Sequence, residues 1–138
     1  MTVADTNLVS ELSKASPSRR VMEWWDSNPR EQLFITTISQ AEILFGIALL
    51  PAGRRRAQLE NAARETFDVS FEGRILPFDS EAAEAFAKIA SARRKLGRPI
   101  SQADAQIAAI ARSRGASLAT RNTADFEHCG VRLLNPWG

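Results

Sequence analysis

Four acidic residues stand where chemistry with a bound cation could be built. Asp5 directly follows a short apolar strand, Thr2-Val3-Ala4. Glu42 falls in the first turn of a helix that follows a second strand, and Asp104 in the first turn of a helix opened by Ser101. Asp125 lies just after a further strand, Ser117-Leu118-Ala119. In open parallel sheets, ligands bind beyond the carboxyl ends of the strands, so all four acids could converge at one sheet edge. Carboxylates brought that close repel one another and must either take up protons or bind a cation. Hard oxygen ligands suit Mg²⁺, which keeps several of its waters. Such an ion acidifies a bound water and steadies the charge on an attacked phosphodiester. Thr6, Asn7, Thr120 and Asn122 flank the acids and could orient carboxylates or hydrogen-bond the ion's waters. Arg121, between Thr120 and Asn122, is placed for a phosphate contact or for a salt bridge to a neighbouring carboxylate.

Each acid also has a plainer reading. Ser39-Gln40-Ala41-Glu42 and Ser101-Gln102-Ala103-Asp104 both have the form of a capping box, in which the acid only satisfies backbone N–H groups. Asp5-Thr6-Asn7 could be a turn signal, and Asp125 a solvated loop acid. The four together, each at a strand-to-helix junction, favour a shared site. The two readings are compatible, because the positive end of a helix favours an ionised carboxylate.

The rest of the inventory narrows the chemistry. His128 is the one histidine, and there is no tyrosine. A nuclease built on two histidines is excluded, and carboxylates with a metal are the better alternative. Cys129 is the one cysteine, so no intramolecular disulfide can form, and a cytoplasmic setting is expected. The opening residues read as a buried strand rather than an export leader. The most apolar run, Ile43 to Leu50, is too short for a membrane span and is followed by Pro51. Arginine dominates the positive charge, with lysine only at Lys14, Lys88 and Lys95, and the net charge is +2. Arg54-Arg55-Arg56 and Arg93-Arg94-Lys95, with Arg98, could line a nucleic-acid path, although charge runs usually mark solvated helix faces.

The elements that must position these groups alternate along the chain. Helices are expected from Leu8 to Ser13, from Ser18 to Asn28-Pro29, from Ser39 to Leu50 and from about Gly53 to Phe67. A longer one runs from the Asp79 cap to Gly97, and another from the Ser101 cap to Gly115. Strands are expected at 2–4, 33–36, 74–78, 117–119 and 131–134, with Asn122–Glu127 a loop or single turn. Short apolar strands between helices predict an α/β fold with a mostly parallel central sheet of about four or five strands. The length suits one domain over residues 1–138. The helix carrying Ile43, Leu44, Phe45 and Ile47 is apolar on more than one face, so it is expected to be buried on both sides or to meet a partner. Of the adjacent Trp24 and Trp25, one is expected to pack inward.

The segments around the acids resemble PIN-domain ribonucleases, specifically the VapC and FitB-like toxins of toxin–antitoxin modules. The resemblance is carried by residues 3–12 (VADTNLVSEL), 37–46 (TISQAEILFG), 97–108 (GRPISQADAQIA) and 118–126 (LATRNTADF), in order and spacing over essentially the whole chain. It implies a PIN fold and endoribonuclease activity with Mg²⁺ or Mn²⁺. It assigns the metal site and catalysis to Asp5, Glu42, Asp104 and Asp125, and implies products with 5′-phosphate and 3′-hydroxyl ends. It further implies a cognate antitoxin, an RNA substrate, operator DNA met only through the antitoxin, and a homodimer or higher assembly. The competing reading is an antitoxin-binding module that acts mainly in a DNA-binding regulatory complex, with weak or no nuclease activity. A haloacid-type phosphatase would want an aspartate at position 7, where Asn7 stands. No Gly-rich phosphate loop follows any expected strand.

Overall fold

A computed structural model describes residues 1–138. Five short strands form one sheet: β1 (Thr2–Ala4), β2 (Leu33–Thr36), β3 (Ile75–Leu76), β4 (Ser117–Ala119) and β5 (Leu133–Leu134). Their order is β3-β2-β1-β4-β5, and every neighbouring pair is parallel. Six helices connect and cover them: α1 (Thr6–Leu12), α2 (Arg19–Asp26), α3 (Thr37–Ala48), α4 (Arg54–Glu65), α5 (Ser80–Lys95) and α6 (Gln102–Ser113). The expected α/β fold with a parallel sheet is thus observed.

A parallel sheet of this kind is buried on both faces, and its side chains alternate between them. Val3 and Leu118 point into a core shared with α5 and α6, where Ile89, Ile107 and Ile110 are fully buried. Their neighbours Ala4 and Ala119 face a second core with Leu8, Val9, Val21 and Ile47, from α1, α2 and α3. α6 is the most enclosed helix, buried from Ile107 to Ala111, because its alanines let it lie close to the sheet and to α5.

The sheet order reverses at β1. The chain builds β2 and β3 outward on one side, then returns to lay β4 and β5 on the other. A crevice forms beyond the carboxyl ends of β1 and β4, where the connections diverge. The Asp5 N–H donates to the Ala119 carbonyl at 3.1 Å, which carries the pairing one residue past β1 and locks that junction.

Several boundaries differ from the sequence expectation. α1 begins at Thr6, with Asp5 itself as the cap, and not at Leu8. α3 begins at Thr37 under Thr36, so Ser39 is already inside the helix and Glu42 falls in its second turn. The two outer strands shrink to two residues each, and a five-residue π-turn, Thr66–Ser70, follows α4. α3 is not buried on both sides: only Ser39 and Ile47 are buried, while Phe45 is 66% exposed and Leu44 and Leu49 are also open. Trp24 and Trp25 both pack, half-buried, against the second core, with ring centroids 6.3 Å apart.

Candidate acidic site

Asp5 leaves β1 in extended conformation and caps α1. Its Oδ1 accepts the Leu8 N–H at 2.9 Å, and its Oδ2 accepts the Thr120 hydroxyl at 2.6 Å. Thr120, fully buried at the end of β4, also accepts the Asn122 N–H at 3.0 Å. One hydroxyl therefore ties the ends of β1 and β4 to the loop that carries Asn122. The Asp5 residue is only 4% exposed. Burial pushes its carboxyl above the ordinary carboxylate range; the Thr120 and Leu8 hydrogen bonds pull it back, and the charges of Asp104 and Glu42 push it up again.

Glu42 reaches the same place by another route. The Thr6 hydroxyl donates to Glu42 Oε1 at 2.7 Å, and Thr6 Oγ1 lies 2.8 Å from Ser39 Oγ. A hydroxyl has one proton to give. With that of Thr6 on Glu42, Ser39 must donate to Thr6, and the Thr36 hydroxyl in turn reaches Ser39 at 3.5 Å. The polar chain runs Thr36, Ser39, Thr6, Glu42, and it joins the starts of α1 and α3.

Asp104 follows the sequence expectation. Ser101 caps α6, and its hydroxyl accepts the Asp104 N–H at 3.2 Å. Asp104 is half-buried. Desolvation pushes its carboxyl up, the Ser101 hydroxyl beside that carboxyl opposes this, and the charges of Asp125 and Glu42 reinforce the rise while Arg93 offsets it.

The structure brings Asp5, Glu42 and Asp104 to one cavity of about 140 Å³, lined also by Thr6, Asn7, Asn122 and Phe126. Asp125 does not line it. Asp125 sits exposed in a 3₁₀ turn, Thr123–Phe126, near enough for its charge to act on Asp104. No three of the chain's acidic, histidine or cysteine side chains close on a single point as a ready metal cage. The donor set still fits a hydrated divalent ion. The oxygens on offer are all hard, two of the carboxyls are raised by burial and by the acids beside them, and Mg²⁺ is commonly held by one or two carboxylates with water completing its shell.

Arg121 turns away from this cavity. Its guanidinium lies 5.5 Å from the Trp137 ring centroid, and its charge acts on Glu11. His128 is exposed in the following loop, with a left-handed φ of 62°. Sequence reasoning missed three contributors. Ser39 and Thr36 read in sequence as a helix cap and a strand end, and Arg93 as one of a basic group on a nucleic-acid path or a solvated helix face. In the fold Arg93 is buried.

A larger cavity of about 390 Å³ adjoins the acids through Thr6 and Glu42. It is an apolar groove between α1, α3 and α4, lined by Val9, Ile43, Ile47, Leu50, Leu59 and Phe67 among others.

Residues 2–130 match the profile of a family described as PIN domain. The chain is 41% identical to a VapC ribonuclease of Sinorhizobium fredii, over 99% of this chain and 98% of that protein. It is 37% identical to the toxin FitB of Neisseria gonorrhoeae, over 99% of each. Among solved structures, FitAB bound to an IR36 DNA fragment contains a chain that superposes with a TM-score of 0.92 at 37% identity, covering 100% of this chain and 96% of the other.

Proposed function

The chain belongs to the PIN-domain family, among its VapC and FitB-like toxins, and from that premise we propose that it is a divalent-metal-dependent endoribonuclease. Its site is the cavity of Asp5, Glu42 and Asp104, with Asp125 at the rim. The observation that carries this reading is the pair Asp5 and Asp104. Two aspartates 99 positions apart meet at the reversal point of the sheet, both with carboxyls held up by burial and by the negative charges around them. A site of that kind is short of one positive charge.

Asp5, Asp104 and Glu42 would hold Mg²⁺ or Mn²⁺, with Asp125 completing the acidic rim. When bound, the ion supplies an acidified water and a counter-charge for the phosphodiester. The chain's own side chains do the rest. Thr120 and the Leu8 N–H hold the Asp5 carboxylate at one orientation. The hydroxyl chain ending at Thr6 fixes Glu42 Oε1 and leaves Oε2 free to face the cavity. Asn7 and Asn122 offer amides at its mouth for water or phosphate oxygens. The same reading takes residues 1–138 as one PIN domain, supported by a single five-stranded sheet and the family match.

A partner protein of the antitoxin kind belongs to this proposal. The relative FitAB was solved as a complex on DNA, which supports operator DNA reached through such a partner. The open apolar face of α3 and the adjoining groove favour binding of a partner or a second copy. They are also the one feature that supports the competing reading, a binding module with little nuclease activity. No helix is long and apolar enough to cross a membrane, which fits a cytoplasmic toxin.

The test is cleavage of structured RNAs by the purified chain with Mg²⁺ or Mn²⁺, with and without chelator, beside Asp5→Asn and Asp104→Asn. Cleavage that needs the ion and is lost in both variants supports the proposal. Equal cleavage by the variants overturns it.

A further inference from the structure

Arg93 is 4% exposed in the last turn of α5, and none of the molecule's ion pairs includes it. A guanidinium without a paired carboxylate is expensive to enclose, and a methionine would fill the space at less cost. Its donors go elsewhere. Nε donates to the Arg98 carbonyl at 2.7 Å, which secures the turn after α5. Nη1 donates to the carbonyls of Asp125 and Glu127 at 2.7 and 3.0 Å. Two of the three carbonyls thus belong to the loop that carries Asp125, 32 and 34 positions away.

That loop needs such a hold. Between the buried Phe126 and Cys129, its residues Glu127 and His128 are exposed. His128 also has a left-handed backbone, a conformation uncommon among non-glycine residues. Arg98 adds a second strut, with its Nη1 3.1 Å from Glu127 Oε2.

We propose that Arg93 is a positioning residue: from the end of α5 it fixes the Asp125–Cys129 loop, and so sets where Asp125 stands, at the rim of the cavity, relative to Asp104 and to an ion held there. This rests on the metal-site reading given above. A planar fork is what the job requires, because one side chain must reach carbonyls on two segments in fixed directions; an ammonium cannot reproduce that geometry.

The experiment uses the full chain, Mn²⁺ titrated by calorimetry, and hydrogen exchange of segment 123–129 without metal. Arg93→Met, once shown to be folded, is expected to exchange faster in that segment and to bind Mn²⁺ about tenfold more weakly, as loss of a ligand-orienting partner commonly does. Because Arg93 acts through Asp125, the double variant Arg93→Met/Asp125→Asn is expected to bind no more weakly than Asp125→Asn alone. Wild-type affinity in Arg93→Met, or losses that multiply in the double variant, overturns the proposal. Should Arg93→Met not fold, Arg93→Lys replaces it: a weaker Mn²⁺ affinity supports the proposal and an unchanged one overturns it. If Asp5→Asn abolishes Mn²⁺ binding while Asp125→Asn binds the ion as tightly as the wild type, the positioning role falls and the metal site stands. If the wild type binds no Mn²⁺, the metal reading fails and this one with it.

Discussion

Helix α1 holds a covered carboxylate at each end, and the two have opposite fates. Asp5 caps the N-terminus and Glu11 sits in the last turn, at 4% and 7% exposure. The helix dipole would favour an ionised Asp5 and disfavour an ionised Glu11. The reverse holds: the Asp5 carboxyl is raised and the Glu11 carboxyl lowered. Partners decide it. Glu11 accepts the Ser18 N–H at 2.9 Å and the Lys14 ammonium at 3.0 Å, with Arg121 adding positive charge. Asp5 has two hydrogen bonds as well, but it is desolvated and faces two more acids. Glu11 is supplied with its cation by the chain; Asp5, at the sheet reversal, has none beside it and faces other acids.

The largest test of that difference is activity against stability. Asp5→Asn and Asp104→Asn are expected to lower RNA cleavage by about 10²–10³-fold, the scale of losing several kcal/mol of charge stabilisation. Glu11→Gln is expected to leave cleavage of the folded protein near wild type and to lower Tm by a few degrees, because Gln accepts the Ser18 N–H without the charge that Lys14 needs. Rates measured well below each variant's Tm decide. A Glu11→Gln protein of wild-type Tm that has lost cleavage would erase the contrast.

A smaller effect separates the partners of the two acids. Thr120→Val strips Asp5 of its side-chain donor and leaves the Asn122 N–H without an acceptor. Cleavage is expected to fall by about tenfold, as for other groups that orient a metal ligand. Lys14→Met removes the corresponding partner of Glu11 and is expected to leave the rate unchanged. Equal rate losses in both would show that the two ends of α1 are not functionally distinct.

Much of this arrangement was legible in the sequence, for reasons that also show where reading stops. The Asp79 and Ser101 caps of α5 and α6 are as expected, each accepting the N–H three residues on. Asp5 and Asp104 could be placed at the crevice since both follow local punctuation. The start of α3 could not, because Thr36, Thr37 and Ser39 are all competent caps. Choosing Ser39 put Glu42 one turn too early and hid its partner, the Thr6 hydroxyl, 36 residues away. Arg93 was hidden by its neighbours: in a run with Arg94 and Lys95, nothing local marks the one side chain that turns inward. The edge strands are shorter than expected because apolar residues flank the paired ones, Pro77 and Phe78 after β3 and Val131 before β5.

The smallest effect, a few degrees in Tm, is the dependence of metal-free stability on pH, where the two ends of α1 pull in opposite directions. Asp5 and Asp104 have folded pKa values raised above the ordinary 3.8. Such groups contribute stability fully below the unfolded value, and it is lost as pH rises through the folded one. Glu11, lowered from 4.5, contributes above its unfolded value and loses that contribution as pH falls through its folded one. An amide behaves as the permanently uncharged acid. Asp104→Asn should therefore match the wild-type Tm near pH 3 and exceed it by a few degrees at pH 7, while Glu11→Gln should fall below the wild type at pH 7 and approach it as the pH falls. Circular dichroism melts across that range, in chelator, read the two differences directly. Adding Mn²⁺ at pH 7 should raise the wild-type Tm and leave that of Asp104→Asn nearly still, since a bound ion supplies the charge the acids lack. If Asp104→Asn is no more stable than wild type at neutral pH, neither burial nor the neighbouring acids hold its carboxyl up, and the contrast between the site acids and Glu11 fails.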